Sequence, residues 1–380
     1  MVKKYHIIVF GCQMNLSDGE RLSAVLESAG YKKTNNINEA DLVSVVMCSV
    51  RQSAVDRVHW LVQKFKKPNK KPLTLLTGCI LKKDQKAFAG GFDHIIDIKD
   101  IKKLPKLLEY KMSDRSFYIQ DNYLNIVPKY ASKNSAYVPI MTGCNNFCSY
   151  CVVPYTRGRE ISRQVKEIIN EIKRLINPTS PRLRGAKEIW LLGQNVNSYK
   201  DKKTTPVKSP QGGVSAKSGQ FNGVNFPKLL KMINDISGSF KLNFTSSHPK
   251  DFSDELIKTM TKCEKLSMDL NLPIQSGDDE ILKKMNRPYT VAQYKNLVKK
   301  IRRALPKIRL STDIIVGFPG ETKKQFNNTV KTLKEIAYGV AFINKYSPRA
   351  GTAAARMEDN VPWDEKKRRE KILIKLVNEK

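Results

Sequence analysis

Three short apolar runs, YHIIVF (5–10), DLVSVVMCSV (41–50) and LTLLTGCI (73–80), each have a cysteine near the C-terminal end or just past it. Runs of this length and β-branched content, separated by stretches long enough for a helix, read as the strands of a parallel βαβαβ unit. In an open sheet of that kind, ligands collect outside the carboxyl ends of the strands. Cys12, Cys48 and Cys79 are therefore expected to meet at one edge, although they lie far apart in the chain. After the loop GCQMN, Ser17 and Glu20 have capping-box spacing, and Leu22, Val25 and Leu26 give a helical apolar face that stops at Gly30. VDRVHWLVQKF supplies the second helix.

A second group of thiols is local. MTGCNNFCSYCVVPYTRGRE (141–160) places Cys144, Cys148 and Cys151 within one loop, and offers no fourth ligand. A closed zinc site needs four, usually as two separated pairs. The histidines His6, His59, His94 and His248 are all distant in sequence. Three thiolates suit an iron-sulfur cluster that keeps one iron open, and an open iron implies chemistry at that position. Cys263 is left over and reads as a structural thiol.

The rest of the chain continues to alternate. YVPIMTG, EIWLLGQN, KLNFTSSHP, MDLNLPIQSG and RLSTDIIVGFPGE read as strands ending in polar or Gly-rich loops, most followed by a helix such as VKEIINEIKRLI (165–176). The fold class is α/β: a Rossmann- or flavodoxin-like parallel-sheet domain over 1–125, a linker over 126–136, and a full or partial (β/α) barrel over 137–370. Residues 200–225, low in apolar residues and rich in Gly, Ser and Lys, are expected to be a mobile insertion. Residues 371–380 form a charged, helix-like end.

Lys and Arg number 68 against 36 acidic residues, a formal charge of +32 spread along the chain. Such a field attracts polyanions, nucleic acid foremost, although lysine-rich solvation of the surface gives the same composition. No apolar run approaches the length of a membrane span, and no secretory pattern opens the chain, so a soluble cytoplasmic protein without membrane contact is expected. The odd cysteine count, seven, favours thiols committed to metal over disulfides.

The spacing Cys144-xxx-Cys148-xx-Cys151 after the first strand of a barrel-like series resembles the radical S-adenosylmethionine enzymes. With the upstream cysteine domain, the chain resembles their methylthiotransferase branch. GCQMN, MCSVR, TGCNNFCSYCVVPYTRGRE, LLGQNVNSY, TSSHP, LPIQSG, MNRPYT, STDIIVGFPGE and KYSPRAGT are similar to the members that modify isopentenylated adenosine in tRNA. The resemblance implies methylthiolation of C2 of N6-isopentenyladenosine at position 37, in the anticodon loop. It implies two 4Fe-4S clusters, a radical cluster on Cys144, Cys148 and Cys151 and an auxiliary one on Cys12, Cys48 and Cys79. S-adenosylmethionine then serves as methyl donor and radical source, with tRNA and an electron donor such as a flavodoxin or ferredoxin as partners.

Under the same resemblance Gly193, Gln194, Ser246, Gln275, Ser276, Arg287, Asp313 and Gly317 fall where the family binds S-adenosylmethionine. For each of them ordinary turn chemistry is the competing reading. Arg157 and Arg159 suit a phosphate or a carboxylate, and Tyr150 and Tyr155 either stack on a base or pack. Family members usually continue into a small RNA-binding β-barrel, and a chain stopping at KILIKLVNEK is expected to lack it. Other readings stay open: another modified adenosine such as threonylcarbamoyladenosine, a ribosomal protein as substrate, or an iron-sulfur RNA-binding protein without turnover.

Overall fold

The computed structural model describes residues 2–65, 72–109, 122–132, 134–177, 185–201 and 223–378. The chain forms two compact units. One comprises Met1–Lys133, Cys151–Arg159 and Arg349–Thr352, the other Asn134–Tyr150, Glu160–Pro348 and Ala353–Lys380.

In the first unit β1 (Lys4–Val9), α1 (Gln13–Ser28), β2 (Lys32–Lys33), β3 (Leu42–Cys48), α2 (Gln52–Phe65), β4 (Leu73–Cys79), α3 (Lys82–Phe88), β5 (His94–Ile95) and α4 (Leu104–Leu107) follow in chain order. The strands form one sheet in the order β2-β1-β3-β4-β5, and every neighbouring pair is parallel. Central β3 is buried at every position, as expected of a parallel strand covered on both faces. Val43, Val45 and Met47 pack with Val55, Val58 and Leu61 of α2. On the side of α1, Gly19 lies against Ile7, Val9 and Val46, where a Cβ would stand 3.1 Å from the Val9 side chain. Each such fully buried aliphatic side chain contributes roughly 1.5–3 kcal/mol.

The capping box read from Ser17 and Glu20 is not formed. Helix α1 starts at Gln13 with Cys12 as its N-cap residue, and Asn15 Oδ1 accepts the Cys12 backbone N–H at 3.3 Å. Ser17 and Glu20 are instead buried inside the helix. There Ser17 Oγ accepts from Arg21 Nη1 at 2.6 Å, and Glu20 Oε1 accepts from the Ala131 amide at 2.9 Å. The loop GCQMN is thus mostly first helical turn, and the Cys12 thiol stands at the positive end of the helix dipole. The helix ends as read, with Gly30 at φ 80° just beyond it.

In the second unit β6 (Ser135–Pro139) and β7 (Met141–Thr142) come first. The short α5 (Val153–Thr156) belongs to the first unit, and β8 (Ile161–Ser162) then returns to pair antiparallel with β7. There follow α6 (Val165–Ile176), β9 (Glu188–Leu192), β10 (Lys200–Asp201), β11 (Val224–Asn225), α7 (Phe226–Asn234), β12 (Lys241–Phe244), α8 (Asp254–Met260) and β13 (Asp269–Asn271). The unit closes with α9 (Asp279–Lys284), α10 (Val291–Ala304), β14 (Arg309–Val316), α11 (Lys323–Ile336), β15 (Val340–Lys345) and α12 (Trp363–Asn378). Parallel sheets β12-β9-β6 and β13-β14-β15, joined by a parallel bridge from Leu242 to Leu266, make a partial (β/α) barrel. Of the insertion expected at 200–225, residues 202–222 lie outside the described residues, and its flanks β10 and β11 pair antiparallel. Among the described residues no helix is long and apolar enough to cross a membrane.

The entry to α6 is tied to the sheet by a buried ion pair. Arg163 Nη2 meets Glu171 Oε2 at 2.7 Å, Nη1 donates to the Pro139 carbonyl at 2.9 Å, and both side chains are almost fully buried. Removing one partner of such a pair leaves the other charge without compensation and costs about 3–5 kcal/mol. Glu171→Leu is therefore expected to lower the urea midpoint by about 1 M or more, whereas Arg163→Met/Glu171→Leu recovers most of the loss. Circular dichroism of the full chain through the urea transition measures both.

Candidate functional site

The three strand-end cysteines of the first unit converge as the parallel topology requires. Cys48 and Cys79 are register partners at the last positions of β3 and β4, and Cys12 caps α1 just beyond β1. The adjacent Cys48 thiol, then burial, holds the Cys79 pKa well above the usual thiol value. Burial, then the neighbouring Cys79, raises Cys12. Two donors point at the Cys79 sulfur, Arg157 Nε at 2.8 Å and Asn15 Nδ2 at 3.7 Å. Packing here leaves no slack: a Cβ on Gly11 would stand 2.3 Å from Asn15 Oδ1 and 3.0 Å from the Cys48 Cβ.

Arg157 is not available to a phosphate or to the carboxylate of a cofactor, a correction to the sequence reading. Its side chain is 2 % exposed and its partner Asp18 is 0 % exposed, with Nη2 to Asp18 Oδ2 at 2.5 Å. Nη1 donates to the Tyr123 hydroxyl at 2.9 Å. Neither Asp18 nor Tyr123 carried a signal in the sequence, since a lone carboxylate within a helix and a Tyr in a connecting segment match no motif. Arg159 and Tyr155 are exposed, whereas Tyr150 packs against Ile281, Met285 and Phe318.

Cys144 and Cys148 belong to the second unit, and Cys151 opens the segment assigned to the first. Burial pushes the Cys144 thiol up to about 11. Gln194 Oε1 accepts the Gly143 N–H at 2.6 Å and so fixes the loop that presents Cys144. Beside Gln194, Gly193 is required by space, because a Cβ there would stand 2.6 Å from the Met141 side chain. Arg287 Nη1 lies 3.7 Å from Cys148 Sγ, while Nε donates to the Tyr289 hydroxyl at 2.7 Å and Nη2 to the Pro273 carbonyl at 2.6 Å.

The other residues read from the motifs divide by environment. Ser246 (φ 64°) and Gln275 (φ 73°) hold left-handed backbone that costs a non-glycine residue on the order of 1–3 kcal/mol, strain that concentrates at functional sites. Ser276 is buried and engaged locally, accepting from the Asp278 amide at 3.3 Å and lying 3.5 Å from Thr329 Oγ1. Asp313 accepts from Asn271 Nδ2 at 3.1 Å. Gly317 (φ 67°) donates its N–H to Glu321 at 2.6 Å, and the place of a Cβ is taken by the Lys366 side chain, so turn geometry accounts for this glycine. Cys263 is buried and apart from both thiol groups in sequence, and burial pushes its thiol up to about 11.

Besides Ser44 Oγ, Thr77 Oγ1 and Tyr346 Oη elsewhere, buried polar atoms without a partner among the described residues lie at the end of β7 and in the segments after β9 and β12. They are Thr142 Oγ1, Asn195 Oδ1, both side-chain atoms of Asn197, Ser247 Oγ and His248 Nε2. Each buried polar group left unpaired costs about 1–3 kcal/mol, so these atoms call for a further polar partner. The sequence reading named Gly193, Gln194 and Ser246 in the same motifs and missed these neighbours. Among the described residues no three His, Cys, Asp or Glu side chains surround the position of a single metal ion. Thiolates around one ion stand within about 4 Å of each other, whereas those of a multi-iron cluster bind different irons. Three thiols per group are the donor type that an iron-sulfur cluster takes.

His248 is nine-tenths buried or more, and its Nδ1 accepts the Lys250 backbone N–H at 3.2 Å, which places the ring proton on Nε2. Burial first, then the charges of Arg287 and Lys250, lowers its pKa from 6.5 to about 2. The unfolded chain takes up a proton near pH 6.5 and the native one does not, so the residue destabilises the fold as pH falls below about 6.5, by up to 1.36 kcal/mol per pH unit. The C2 proton resonance of His248 is expected not to titrate between about pH 8 and pH 5. His248→Gln is expected to flatten that part of the stability curve in urea titrations.

Comparison with known proteins agrees with this geometry. Residues 138–333 match the Radical SAM superfamily and residues 4–97 match Uncharacterized protein family UPF0004. The tRNA-2-methylthio-N(6)-dimethylallyladenosine synthase of Clostridium novyi (strain NT) is 41% identical over 391 residues, 99% of this chain and 81% of that protein. The protein of the same name from Caldicellulosiruptor saccharolyticus is 41% identical over 392 residues, 99% of this chain and 78% of its own length. Among solved structures, a cobalamin-dependent S-adenosylmethionine radical enzyme, OxsB, with aqua-cobalamin and S-adenosylmethionine bound, superposes with a TM-score of 0.59. It is 11% identical and covers 100% of this chain and 55% of that one, a likeness of fold. Near-full coverage at this identity, with both thiol groups in place, assigns the chain to the radical S-adenosylmethionine methylthiotransferases, in the branch of the tRNA-2-methylthio-N(6)-dimethylallyladenosine synthases.

Proposed function

We propose that this chain converts N6-isopentenyladenosine at position 37 of tRNA to its 2-methylthio derivative. The observation that carries the reading is the convergence of Cys12, Cys48 and Cys79 at one sheet edge, in a chain that also carries the Cys144, Cys148 and Cys151 loop. We assign an auxiliary 4Fe-4S cluster to the first group and a radical cluster to the second. When bound, the clusters and S-adenosylmethionine supply the electron, the sulfur, the methyl group and the hydrogen-abstracting chemistry.

What the chain itself does can be derived residue by residue. The buried thiols must lose their protons to bind metal, and the buried Arg157 guanidinium beside Cys79 opposes the burial that disfavours its thiolate. Gln194 holds the Gly143 amide and with it the start of the cluster loop. The unpaired groups of Asn195, Asn197, Ser247 and His248 are available to a zwitterionic or nucleoside ligand, and Ser246 and Gln275 hold left-handed backbone in the loops after β12 and β13. The net charge of +32 draws a polyanion, and adenosine 37 in a single-stranded anticodon loop is a base that can be splayed out. An electron donor such as a flavodoxin or ferredoxin completes the reaction, in a compartment such as the cytoplasm that keeps thiols reduced.

Nucleoside mass spectrometry of bulk tRNA tests the assignment, in a host that lacks its own methylthiotransferase and expresses this chain. Appearance of 2-methylthio-isopentenyladenosine is expected. Methylthiolation of threonylcarbamoyladenosine or of a ribosomal protein instead overturns the substrate. Cys48→Ala is expected to lose the methylthio product and about half of the iron, while the purified protein still releases 5′-deoxyadenosine under reducing conditions. Cys148→Ala is expected to lose both products.

A further inference from the structure

The buried Arg157 side chain makes three directed bonds, to the Cys79 sulfur (Nε, 2.8 Å), the Tyr123 hydroxyl (Nη1, 2.9 Å) and Asp18 (Nη2, 2.5 Å). Structural needs alone do not account for this use of it. An ion pair with Asp18 would satisfy the charge, and a buried pair of this kind is rarely more stabilising than apolar packing of the same volume. The guanidinium fork is rigid, so the Asp18 and Tyr123 bonds determine where Nε points, and it points at a sulfur. Its charge does not titrate away: next to Asp18 the pKa is held well above an already high value, against the opposing effect of burial.

We infer that Arg157, oriented by Asp18 and Tyr123, is a positioning residue that sets the reduction potential of the cluster on Cys12, Cys48 and Cys79 through its N–H bond to the Cys79 sulfur. The inference rests on the assignment of that cluster under the proposed function. A cation donating to a ligating thiolate withdraws charge from the cluster and favours its reduced, more negative state. Asp18 acts in the opposite sense from a greater distance. Burial excludes the water that would screen either charge.

The test uses the full chain with Cys144, Cys148 and Cys151 replaced by Ala, reconstituted with iron and sulfide. Reductive titration followed by electron paramagnetic resonance then reports the remaining cluster alone. Arg157→Gln is expected to lower the potential, so that the reduced-to-oxidised ratio at the parent midpoint falls tenfold or more, equivalent to 59 mV for a one-electron couple. Asp18→Asn is expected to raise the potential, and Arg157→Lys, which keeps the charge without the directed Nε–H, falls between parent and Arg157→Gln. Arg157→Gln leaves Asp18 buried without its cation, so Asp18→Asn/Arg157→Gln provides a neutral pair in which the nearer group dominates and the potential still falls. A loosened, water-exposed site would move Arg157→Gln and Asp18→Asn in the same direction. That result, or no movement with a normal iron content, overturns the inference. If the parent assembles no cluster by iron content and visible absorbance, the assignment of the three cysteines fails and the inference fails with it.

Discussion

Parallel strand pairing is the constraint on which both units depend. A parallel ladder sends every connection over the face of the sheet and leaves the carboxyl ends of all strands at a single edge. In the first unit this aligns Cys48 with Cys79 across neighbouring strands, and the short turn after β1 brings Cys12 to the start of α1. In the second unit the same rule places Asn195 and Ser247, each three residues beyond the last paired position of β9 or β12, past the carboxyl ends of neighbouring strands. Residues that share no local motif thus become neighbours without any special device, and chemistry can be placed on loops while the cores below remain hydrophobic.

Buried positive charge is handled in two ways. Arg163 and Arg369 are compensated by buried carboxylates, Glu171 and Glu321, each at 2.7 Å. These pairs hold helices α6 and α12 to their sheets. Arg157 and Arg287 also donate to cysteine sulfurs, at 2.8 Å and 3.7 Å. A buried guanidinium against a thiol lowers the free energy of the thiolate relative to the thiol, which is the protonation state a metal requires. The two Arg–Cys contacts stand in different units and belong to the two cysteine groups.

Much of this was legible in the sequence, for reasons that can be named. Apolar periodicity gave strands β3 and β4 within a residue or two and α6 to the residue, because those segments follow their intrinsic pattern. The cysteine partition into a strand-end triad and a loop triad needed only topology and spacing. The start of α1 was misread because Ser17 and Glu20 mimic a capping box, while the true N-cap is a cysteine, a residue type that carries little capping preference. Arg157 was misread because an Arg in a polar motif is ordinarily exposed, and only the fold brings Asp18, far away in the chain, into contact with it. His248 stood in a recognised motif, but its role depends on burial and on which ring nitrogen accepts a hydrogen bond, neither of which has a sequence signature.

The location of backbone strain follows from the same division of labour. Among the described residues six non-glycine residues have left-handed backbone; Glu109 and Ala337 follow helices α4 and α11, whereas Phe147, Ser246, Gln275 and Asn286 lie in motif loops of the second unit. Two of them are restrained by direct bonds: Asn286 Nδ2 donates to the Asn146 and Phe147 carbonyls at 3.1 and 3.0 Å, and Gln275 is bridged to β14 through Asp313 and Ile315. At on the order of 1–3 kcal/mol each, such conformations persist only where the surroundings over-determine them. Glycine would relieve the strain but would loosen loops that have to hold a side chain at a fixed angle, Cys148 beside Phe147 and Arg287 beside Asn286. In these motif loops side-chain direction matters more than local stability, and Ser246 directly precedes the buried, unpaired Ser247 hydroxyl.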